Sequence, residues 1–584
     1  MRAANAVIQA VKMEGVKFIA GVPGGSVHEL VDALYDDREV RAVLVRHERV
    51  GVDMADGYAR VSGRPGVALA VQGPGAANAV GGIANAYADS APVLLLQGQV
   101  RQNLLGKQVV QEMDLMKLYQ ATTKWLSSIN HIERVPEIMR RAFVQLLSGR
   151  PRPVVVEIPN DVLAAEGDDE MLRYTPVLKR IRSNGDPADI ERAAEMLLTA
   201  KNPFILAGAG IFPSGASVEL RTLADLLTVP VGTTLMGKSA FPENHPLSVG
   251  ISGYPRALFA TKQALRMTDK ADVVLAIGCS FKPPTYVGMT VGKTPAPHEV
   301  IPKGVKIIQI DVDPSEIGKN FPVDLAILGD AKLVLTDLIQ AIRDRADQSR
   351  LAQKDSVIEE IKGLKQKWME EWMPVLTSDE VPINPYRLTW EVMNAVDRNN
   401  TIILHDSGSG RGYLAHVYES SFPRSFLGFG GQSAMGWSLG AAMGAKLAAP
   451  DRVVVDMIGD GSFGMTGMDL ETAVRCEIPI LVVVVNNYLL NLSAETRRQK
   501  FQERYLMVEL TGNYTRVAEG LGAHAERVQK PGEIRPALER AVRVTREGKP
   551  ALVEVMTKRL EPLPKGGTYV SRAASTRLRP MDIG

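Results

Sequence analysis

The sequence is poor in cysteine and in aromatic residues, and it has no excess of charge of either sign. Its 584 residues include 2 cysteines and 5 tryptophans, and the formal net charge is +2. Cys279 and Cys476 lie far apart in apolar segments, which excludes a disulfide framework and a zinc-binding spacing. We predict that both are buried thiols in a reducing compartment. No block of like charges resembles a nucleic-acid or membrane footprint, so we expect small-molecule partners.

Long apolar runs are also missing. No run reaches the length of a transmembrane helix, and the first residues, MRAANAVIQAVKMEGV, have helical periodicity without the apolar core of a signal peptide. These absences predict a cytoplasmic protein that does not bind membranes. The length is too great for one hydrophobic core and favours three or four domains.

What the sequence does contain is three sections in which apolar, strand-like runs alternate with helical patterns. Such alternation predicts open parallel sheets with helices on both faces. The expected fold class is therefore α/β, with three doubly wound parallel-sheet domains. We place them at residues 1–165, 190–345 and 384–560, followed by a basic tail at residues 561–584. A charged linker separates the first two domains, and a charged, helix-patterned linker containing Trp368 and Trp372 separates the last two.

The most informative stretch is GDGSFGMTGMDLETAVRCEIPILVVVVNN at residues 459–487, which is typical of a strand, a turn, a helix and a second strand. Parallel strands end at the same edge, so Asp460 and Asn487 should meet in one crevice. Together with a backbone carbonyl near Leu489, these hard oxygen ligands suit Mg²⁺. Gly459 and Gly461 would let the backbone approach a diphosphate, and the amides that open the next helix, near Ser462, favour its charge.

Three further stretches contain candidate residues. Glu48 lies in RHERVGVDMADGYAR where a strand ends and a helix begins, and alone it would be a solvated carboxylate at a helix start. IILHDSGSGRG contains Gly408, Ser409 and Gly410, which alone would be an ordinary loop. Met435, in GGQSAMGWSLGAAMGAKLAAP, would otherwise fill a core.

Together, these stretches resemble the thiamine diphosphate enzyme superfamily, most closely the catalytic subunit of acetolactate synthases, over nearly the whole chain. The resemblance implies a pyrimidine-binding first domain, a central domain and a diphosphate-binding third domain. It implies that Glu48 hydrogen-bonds the aminopyrimidine, that Met435 lies beneath the cofactor, and that Gly25 and Gln111 are catalytic. The turn at Gly408, Ser409 and Gly410 would wrap the diphosphate.

The implied activity is decarboxylation of a 2-keto acid followed by carboligation to a second carbonyl compound. Two differences from typical acetolactate synthases bear on the choice of substrate. Val110 replaces the phenylalanine before Gln111, and Glu495, Thr496 and Arg497 replace a Gln-Trp-Gln that shapes the acceptor pocket. The alternative is a 2-hydroxyacyl-CoA lyase or oxalyl-CoA decarboxylase type of enzyme. The basic tail would then close over a CoA phosphate, although a disordered terminus is the commoner explanation of such a tail. A dehydrogenase with NAD is disfavoured because GVPGGS lacks the full dinucleotide fingerprint.

The resemblance is compatible with a central domain that binds FAD, binds ADP or binds no ligand. Gly208, Gly210 and the acidic end of the strand IIQIDVD could hold a nucleotide. The Arg-Phe-Asp-Asp-Arg stretch that contacts flavin in typical synthases is replaced by Ser280, Phe281, Lys282, Pro283 and Pro284. The resemblance also implies a homodimer or homotetramer whose sites are shared between the first domain of one subunit and the third domain of another.

Overall fold

In a computed structural model, the chain forms three parallel sheets of six strands each. The structure describes residues 1–177, 179–252, 260–282, 302–347, 354–564, 567–569 and 577–578. Helices cover the faces of every sheet, so the predicted class of three doubly wound α/β domains is confirmed. The exact domain boundaries stay predictions.

The first sheet has the strand order β2-β1-β3-β4-β6-β5. Its central strands are short, apolar and buried on both faces, as expected of a parallel sheet covered by helices. The strands are β1 (Phe18–Gly21), β2 (Arg41–Leu44), β3 (Gly66–Ala70), β4 (Val93–Gln99), β5 (Trp125–Ser128) and β6 (Val154–Pro159). The helices are α1 (Ala3–Met13), α2 (His28–Asp36), α3 (Glu48–Ser62), α4 (Pro74–Asp89), α5 (Leu115–Tyr119), α6 (Val135–Leu147) and α7 (Asn160–Ala164).

The second sheet has the order β12-β11-β10-β7-β8-β9, which is the order of a dinucleotide-binding fold. Its strands are β7 (Pro203–Ala207), β8 (Val231–Thr233), β9 (Ser248–Ile251), β10 (Val273–Ile277), β11 (Lys306–Asp311) and β12 (Leu325–Leu328). The helices are α8 (Pro187–Thr199), α9 (Ile211–Ser214), α10 (Ser217–Leu227), α11 (Lys262–Lys270) and α12 (Ala331–Arg345).

The third sheet has the order β14-β13-β15-β16-β18-β17, so its topology is the same as that of the first sheet. One sheet architecture therefore occurs twice in the chain. Its strands are β13 (Thr401–His405), β14 (Phe426–Leu427), β15 (Val453–Gly459), β16 (Leu481–Asn486), β17 (His524–Val528) and β18 (Ala551–Met556). The helices are α14 (Pro385–Ala395), α15 (Ser409–Val417), α16 (Trp437–Ala448), α17 (Asp460–Thr466), α18 (Leu470–Arg475), α19 (Asn491–Lys500), α20 (Tyr514–Gly520) and α21 (Ile534–Arg546).

The linker between the second and third domains forms one long helix, α13 (Asp355–Leu376). The stacked rings of Trp368 and Trp372 have centroids 5.8 Å apart, and both rings contact His416 of the third domain. Trp372 also donates its indole N–H to the carbonyl of Gly567 at 3.1 Å. The tryptophans therefore pack the linker and the start of the tail against the third domain. Most of the tail after residue 569 lies outside the described residues.

The first and third domains meet through helices α3 and α16, which are held close together by glycine. A Cβ atom at Gly57 would lie 2.1 Å from the carbonyl oxygen of Ala441, and one at Gly444 would lie 1.9 Å from that of Met54. The contact is polar as well, because Trp437 donates its indole N–H to Asp56 at 2.8 Å. This junction lies within one chain, and the sharing of sites between subunits stays a prediction.

The sequence predicts buried cysteines and no membrane-spanning helix, and the structure bears on both for the residues that it describes. Cys279 and Cys476 are buried free thiols. Within the described part of the chain, every helix is too short or too polar to cross a membrane.

Candidate active site

The two strands predicted around residues 459–487 are β15 and β16. The predicted turn and single helix are instead two short helices, α17 and α18. Strands β15 and β16 pair in parallel, with Gly459 opposite Val485. Helix α17 begins at Asp460, directly after β15, and Asn487 directly follows β16. The two side chains therefore reach the same edge of the third sheet, as the sequence predicts.

Asp460 is a buried carboxylate at this edge, with a relative exposure of 3%. Burial raises its pKa to about 7, although the backbone N–H groups of Gly461, Tyr488 and Leu489 act in the opposite direction. Its Oδ2 atom has no hydrogen-bond partner among the described residues. A buried, incompletely satisfied carboxylate is suited to bind a cation, because the cation stabilises the charged form.

The turn after β16 holds Asn487 and Leu489 beside Asp460. Asn487 Oδ1 accepts the N–H of Leu489 at 3.0 Å, and Tyr488 between them has a φ of 52°. The described residues contain no group of three His, Cys, Asp or Glu side chains that could hold a metal. A cation at Asp460 would therefore need amide and backbone carbonyl oxygens such as those that Asn487 and Leu489 offer.

The glycine-rich turn that begins α15 lies after β13, the neighbour of β15 in the sheet. Gly408 has a φ of 98°, a left-handed conformation that favours glycine. A Cβ atom at Gly408, Gly410 or Gly459 would meet no other atom within 4 Å. The turn therefore borders open space. Ser409 Oγ accepts a hydrogen bond from Asn491 Nδ2 at 2.9 Å.

Met435 lies in the turn before α16, close to the Asp460 motif. Its Cε atom is 3.2 Å from the position that a Cβ atom would take at Gly461. The next residue, Gly436, donates its N–H to Asp406 at 3.0 Å and accepts a hydrogen bond from Thr466 at 2.9 Å. These bonds fix the turn between the glycine-rich turn and α17. Ser462 is buried in α17.

Glu48 opens helix α3, at the carboxyl edge of the first sheet. His47 caps this helix, since its ring nitrogen accepts the N–H of Arg49 at 3.2 Å. The Glu48 carboxylate is 8% exposed and accepts a hydrogen bond from Asn78 at 2.9 Å. Arg49 donates to the carbonyl of Ala434 at 3.3 Å. This bond joins the residue after Glu48 to the residue before Met435, across the contact of the first and third domains.

Gly25 and Gln111 lie on two loops at this end of the first sheet. A Cβ atom at Gly25 would meet nothing within 4 Å. Gln111 has a φ of 64°, and its backbone packs against Gly73, where a Cβ atom would lie 2.6 Å from the Gln111 carbonyl oxygen. Gly73 begins the turn that carries Gly75, next to the Glu48 carboxylate. The turn from Gly73 to Gly75 therefore lies between Gln111 and Glu48 and contacts both residues.

Sequence reasoning missed several polar residues that support these groups. Asp406 accepts N–H bonds from Ser407, Gly436 and Ser438 at 2.7 to 3.0 Å, and so joins two of the predicted turns. It follows an apolar strand directly, as Asp460 does, and that pattern could have identified it. Asn78 and Arg559, which donates to the Asn487 carbonyl at 3.0 Å, have no comparable signal.

A cavity of about 550 Å³ lies at the carboxyl edge of the central sheet, next to Gly208, Gly210 and Asp311. The segment that replaces the flavin-contacting residues of typical synthases does not support binding of FAD in this cavity. Phe281 is buried and packs on Phe321 with centroids 5.1 Å apart. Lys282 donates to the carbonyl of Ala88 at 2.7 Å. Pro283 and Pro284 lie outside the described residues.

Comparisons with known proteins agree with this arrangement. Three family models match in order: the N-terminal binding domain, the central domain and the C-terminal binding domain of thiamine pyrophosphate enzymes. They match residues 1–118, 190–338 and 406–555. The architecture is that of a thiamine pyrophosphate enzyme, with cofactor-binding domains at both ends of the chain and a central domain between them.

Several curated relatives are similar over almost their full length. A probable acetolactate synthase large subunit of Methanocaldococcus jannaschii is 37% identical over 99% of this chain and 96% of its own length. The acetolactate synthase isozyme 3 large subunit of Escherichia coli is 31% identical over 94% of each chain. The chain belongs to the thiamine pyrophosphate enzyme family, in the group of acetolactate synthase large subunits. These relatives favour the acetolactate synthase prediction over the acyl-CoA alternative.

Proposed function

We propose that the chain is the catalytic subunit of an acetolactate synthase-like enzyme that uses thiamine diphosphate and Mg²⁺. It decarboxylates a 2-keto acid and joins the remaining fragment to a second carbonyl compound. The observation that supports the proposal is a chain of contacts: Arg49, next to Glu48, bonds to Ala434, and the adjacent Met435 approaches Gly461 of the Asp460 motif. When bound, the cofactor supplies a nucleophilic carbon and stabilises the negative charge left by decarboxylation.

Asp460, Asn487 and the carbonyl of Leu489 are the proposed ligands of Mg²⁺. The buried Oδ2 atom of Asp460 supports this assignment, because a cation would satisfy it. Gly408, Ser409, Gly410, Gly459, Gly461 and Ser462 are the proposed diphosphate contacts. The open space beside Gly408, Gly410 and Gly459 supports close approach of the backbone to a ligand.

Glu48 is proposed to hydrogen-bond the aminopyrimidine and to exchange a proton with it. Asn78 holds one carboxylate oxygen of Glu48 and so orients the other. Met435 is proposed to pack beneath the folded cofactor. Gly25 and Gln111, at the open side of the first domain, are proposed to contact the substrate.

Substrate selection is proposed to depend on the residues that depart from typical synthases. Val110 is 86% exposed beside Gln111. Glu495, Thr496 and Arg497 lie on helix α19, directly after the Asn487 turn. They place charges where a tryptophan would otherwise shape the acceptor pocket, so we expect a more polar acceptor than in the classical branched-chain reaction.

We further propose a cytoplasmic homodimer or homotetramer. Two buried free thiols support a reducing compartment. Calorimetric titration with thiamine diphosphate, with and without Mg²⁺, tests the cofactor assignment. A panel of 2-keto acids and 2-hydroxyacyl-CoA thioesters, with products identified by mass spectrometry, tests the reaction. Turnover confined to the thioesters would contradict the proposal.

A further inference from the structure

A second cavity, of about 490 Å³, lies where the three domains and the first linker meet. We name it the junction cavity. Its walls come from the end of α3, the linker at residues 179–182, the turn after α9, and β14 with the residues before it. It adjoins the central cavity, with which it shares Asp89 and Met236 among other residues. Its volume lies in the range of small-molecule sites.

The junction cavity is lined by more cations than carboxylates. Among the described residues, its cations are Arg60, Arg64, Lys179, Arg180, Arg182 and Arg424. Its carboxylates in the same part of the chain are Glu14 and Asp89. Like charges on the walls of one cavity reinforce each other and attract an anion.

The two carboxylates are already engaged elsewhere. Glu14 accepts the hydroxyl of Tyr174 and the N–H of Val177, both at 2.6 Å. Asp89 accepts the N–H groups of Gly430 and Gly431 at 3.0 and 2.8 Å, and lies 3.7 Å from Arg60. Of the cations, Arg60 pairs with Asp56 at 2.6 Å, and Arg180 and Arg182 lie 4.0 and 3.4 Å from Asp330. Among the described residues, Arg64, Lys179 and Arg424 are therefore the cations of the cavity without a carboxylate partner.

Arg424 is the clearest case of an uncompensated cation. Its guanidinium donates to the carbonyls of Arg60 and Phe212, in the first and central domains. Within the described residues, no carboxylate lies within ion-pair distance of Arg424 or of Arg64. Burial, with the nearby charge of Arg180, lowers the pKa of Arg424 to about 10. An anion in the cavity would stabilise this buried charge.

We propose that the junction cavity binds a small phosphorylated ligand, at a site separate from the thiamine diphosphate site. Guanidinium groups match phosphate oxygens in a bidentate geometry, and the excess of cations suits a dianion. Pro213, Leu235 and Met236 form an apolar wall for the organic part of the ligand. Because three domains supply the walls, bound ligand stabilises their arrangement. This inference does not depend on the proposed reaction.

The test is calorimetric titration of the full chain, saturated with thiamine diphosphate and Mg²⁺, with AMP, inorganic phosphate and adenosine. We expect saturable binding of AMP and phosphate but not of neutral adenosine. The double variant Arg64→Gln/Arg182→Gln should bind AMP at least about tenfold more weakly, because hydrogen bonds to charged groups contribute about this much each. Both residues are exposed, but the Arg182 side chain pairs with Asp330 at 3.4 Å, so the melting temperature of the variant must also be measured and should stay close to that of the wild type. Arg424→Gln, at a half-buried position, is a second variant and should also weaken AMP binding.

The matched control is Arg192→Gln/Arg546→Gln, which removes two exposed arginines from α8 and α21. It should leave AMP affinity unchanged. Several results would overturn the proposal: no saturable binding of AMP, equal binding of adenosine, or unchanged affinity in Arg64→Gln/Arg182→Gln. Competition between AMP and added thiamine diphosphate would overturn it too, since it would place the phosphate in the cofactor site.

Discussion

Arg49 donates its guanidinium N–H to the carbonyl of Ala434 at 3.3 Å, across the junction of the first and third domains. The residues beside this bond are Glu48 and Met435, each proposed to contact the cofactor. The bond therefore couples the position of the acid–base residue to that of the residue beneath the cofactor. Changes at either side should affect both.

Asp460→Ala should abolish Mg²⁺-dependent binding of thiamine diphosphate while the protein stays folded. Without the carboxylate, the metal cannot join the protein to the diphosphate. Asp451→Ala, which removes an exposed carboxylate of the same domain, is the control. Calorimetry with and without Mg²⁺ measures the effect, and an unchanged affinity would rule out the metal assignment.

Glu48→Gln should keep cofactor binding and lose activity by about two to four orders of magnitude. Glutamine can accept the hydrogen bond from Asn78 but cannot exchange a proton with the ring. The measurements are kcat and the exchange rate of the cofactor's reactive proton by NMR. Glu133→Gln, an exposed change in the same domain, should behave as wild type. Exchange at the wild-type rate in Glu48→Gln would make Glu48 structural only.

Mixing inactive Glu48→Gln and Asp460→Ala subunits tests whether sites are shared. If each site combines the first domain of one subunit with the third domain of another, a mixed dimer has one intact site, and activity should partly return. If each chain instead builds its own site from both domains, no activity should return. Mass spectrometry of intact complexes must first confirm that the subunits have exchanged.

Gly444→Ala should separate the first and third domains. The added Cβ atom would lie 1.9 Å from the carbonyl oxygen of Met54, so the helices must move apart. We expect a loss of stability of about 1 to 3 kcal/mol and weaker cofactor binding. Gly363→Ala, also in a helix, would meet nothing within 4 Å and should be neutral or stabilising. Equal melting temperatures for the two variants would contradict the tight junction.

Asp311→Asn should stabilise the chain at pH 8 but not at pH 4. Burial raises the pKa of Asp311 to about 6, so the folded state holds the proton more tightly than the unfolded state. Stability is therefore lost as the pH rises from the unfolded pKa of about 4 to the folded pKa, by up to about 3 kcal/mol. Asparagine can still accept the N–H of Asp313 and carries no charge. If the wild type and Asp311→Asn had identical pH profiles of the melting temperature, the charge of Asp311 would not destabilise the folded chain.

Local patterns in the sequence predicted most of the fold, because each strand and each turn is encoded by neighbouring residues. The positions of Asp460 and Asn487 after two apolar strands placed both at one edge, and the parallel pairing of β15 and β16 agrees, although two helices rather than one connect the strands. The junction of the first and third domains could not be predicted in this way. Asp56 and Trp437 are separated by 381 positions, and nothing near either residue indicates the other. Contacts of this kind depend on how whole sheets pack.

The central domain shows in another way what could not be predicted from the sequence. Gly208 and Asp311 were predicted to lie at a strand edge and do so, but their ligand depends on a neighbouring segment whose sequence differs from that of flavin-binding relatives. The buried ring of Phe281 could not be foreseen, because the apolar surface that covers it comes partly from Phe321 on a distant loop.

The shared strand order of the first and third sheets relates the two domains as approximate copies. Strand β3 corresponds to β15, so the Gly-Pro-Gly turn at Gly73 is the counterpart of the Gly-Asp-Gly turn at Gly459. One copy has a proline where the other has the proposed metal ligand. Such copies are expected after duplication of an ancestral half, whose two descendants then diverged at their turns. Diverged turns on a retained scaffold would let one half hold the charged end of a cofactor and the other half its ring.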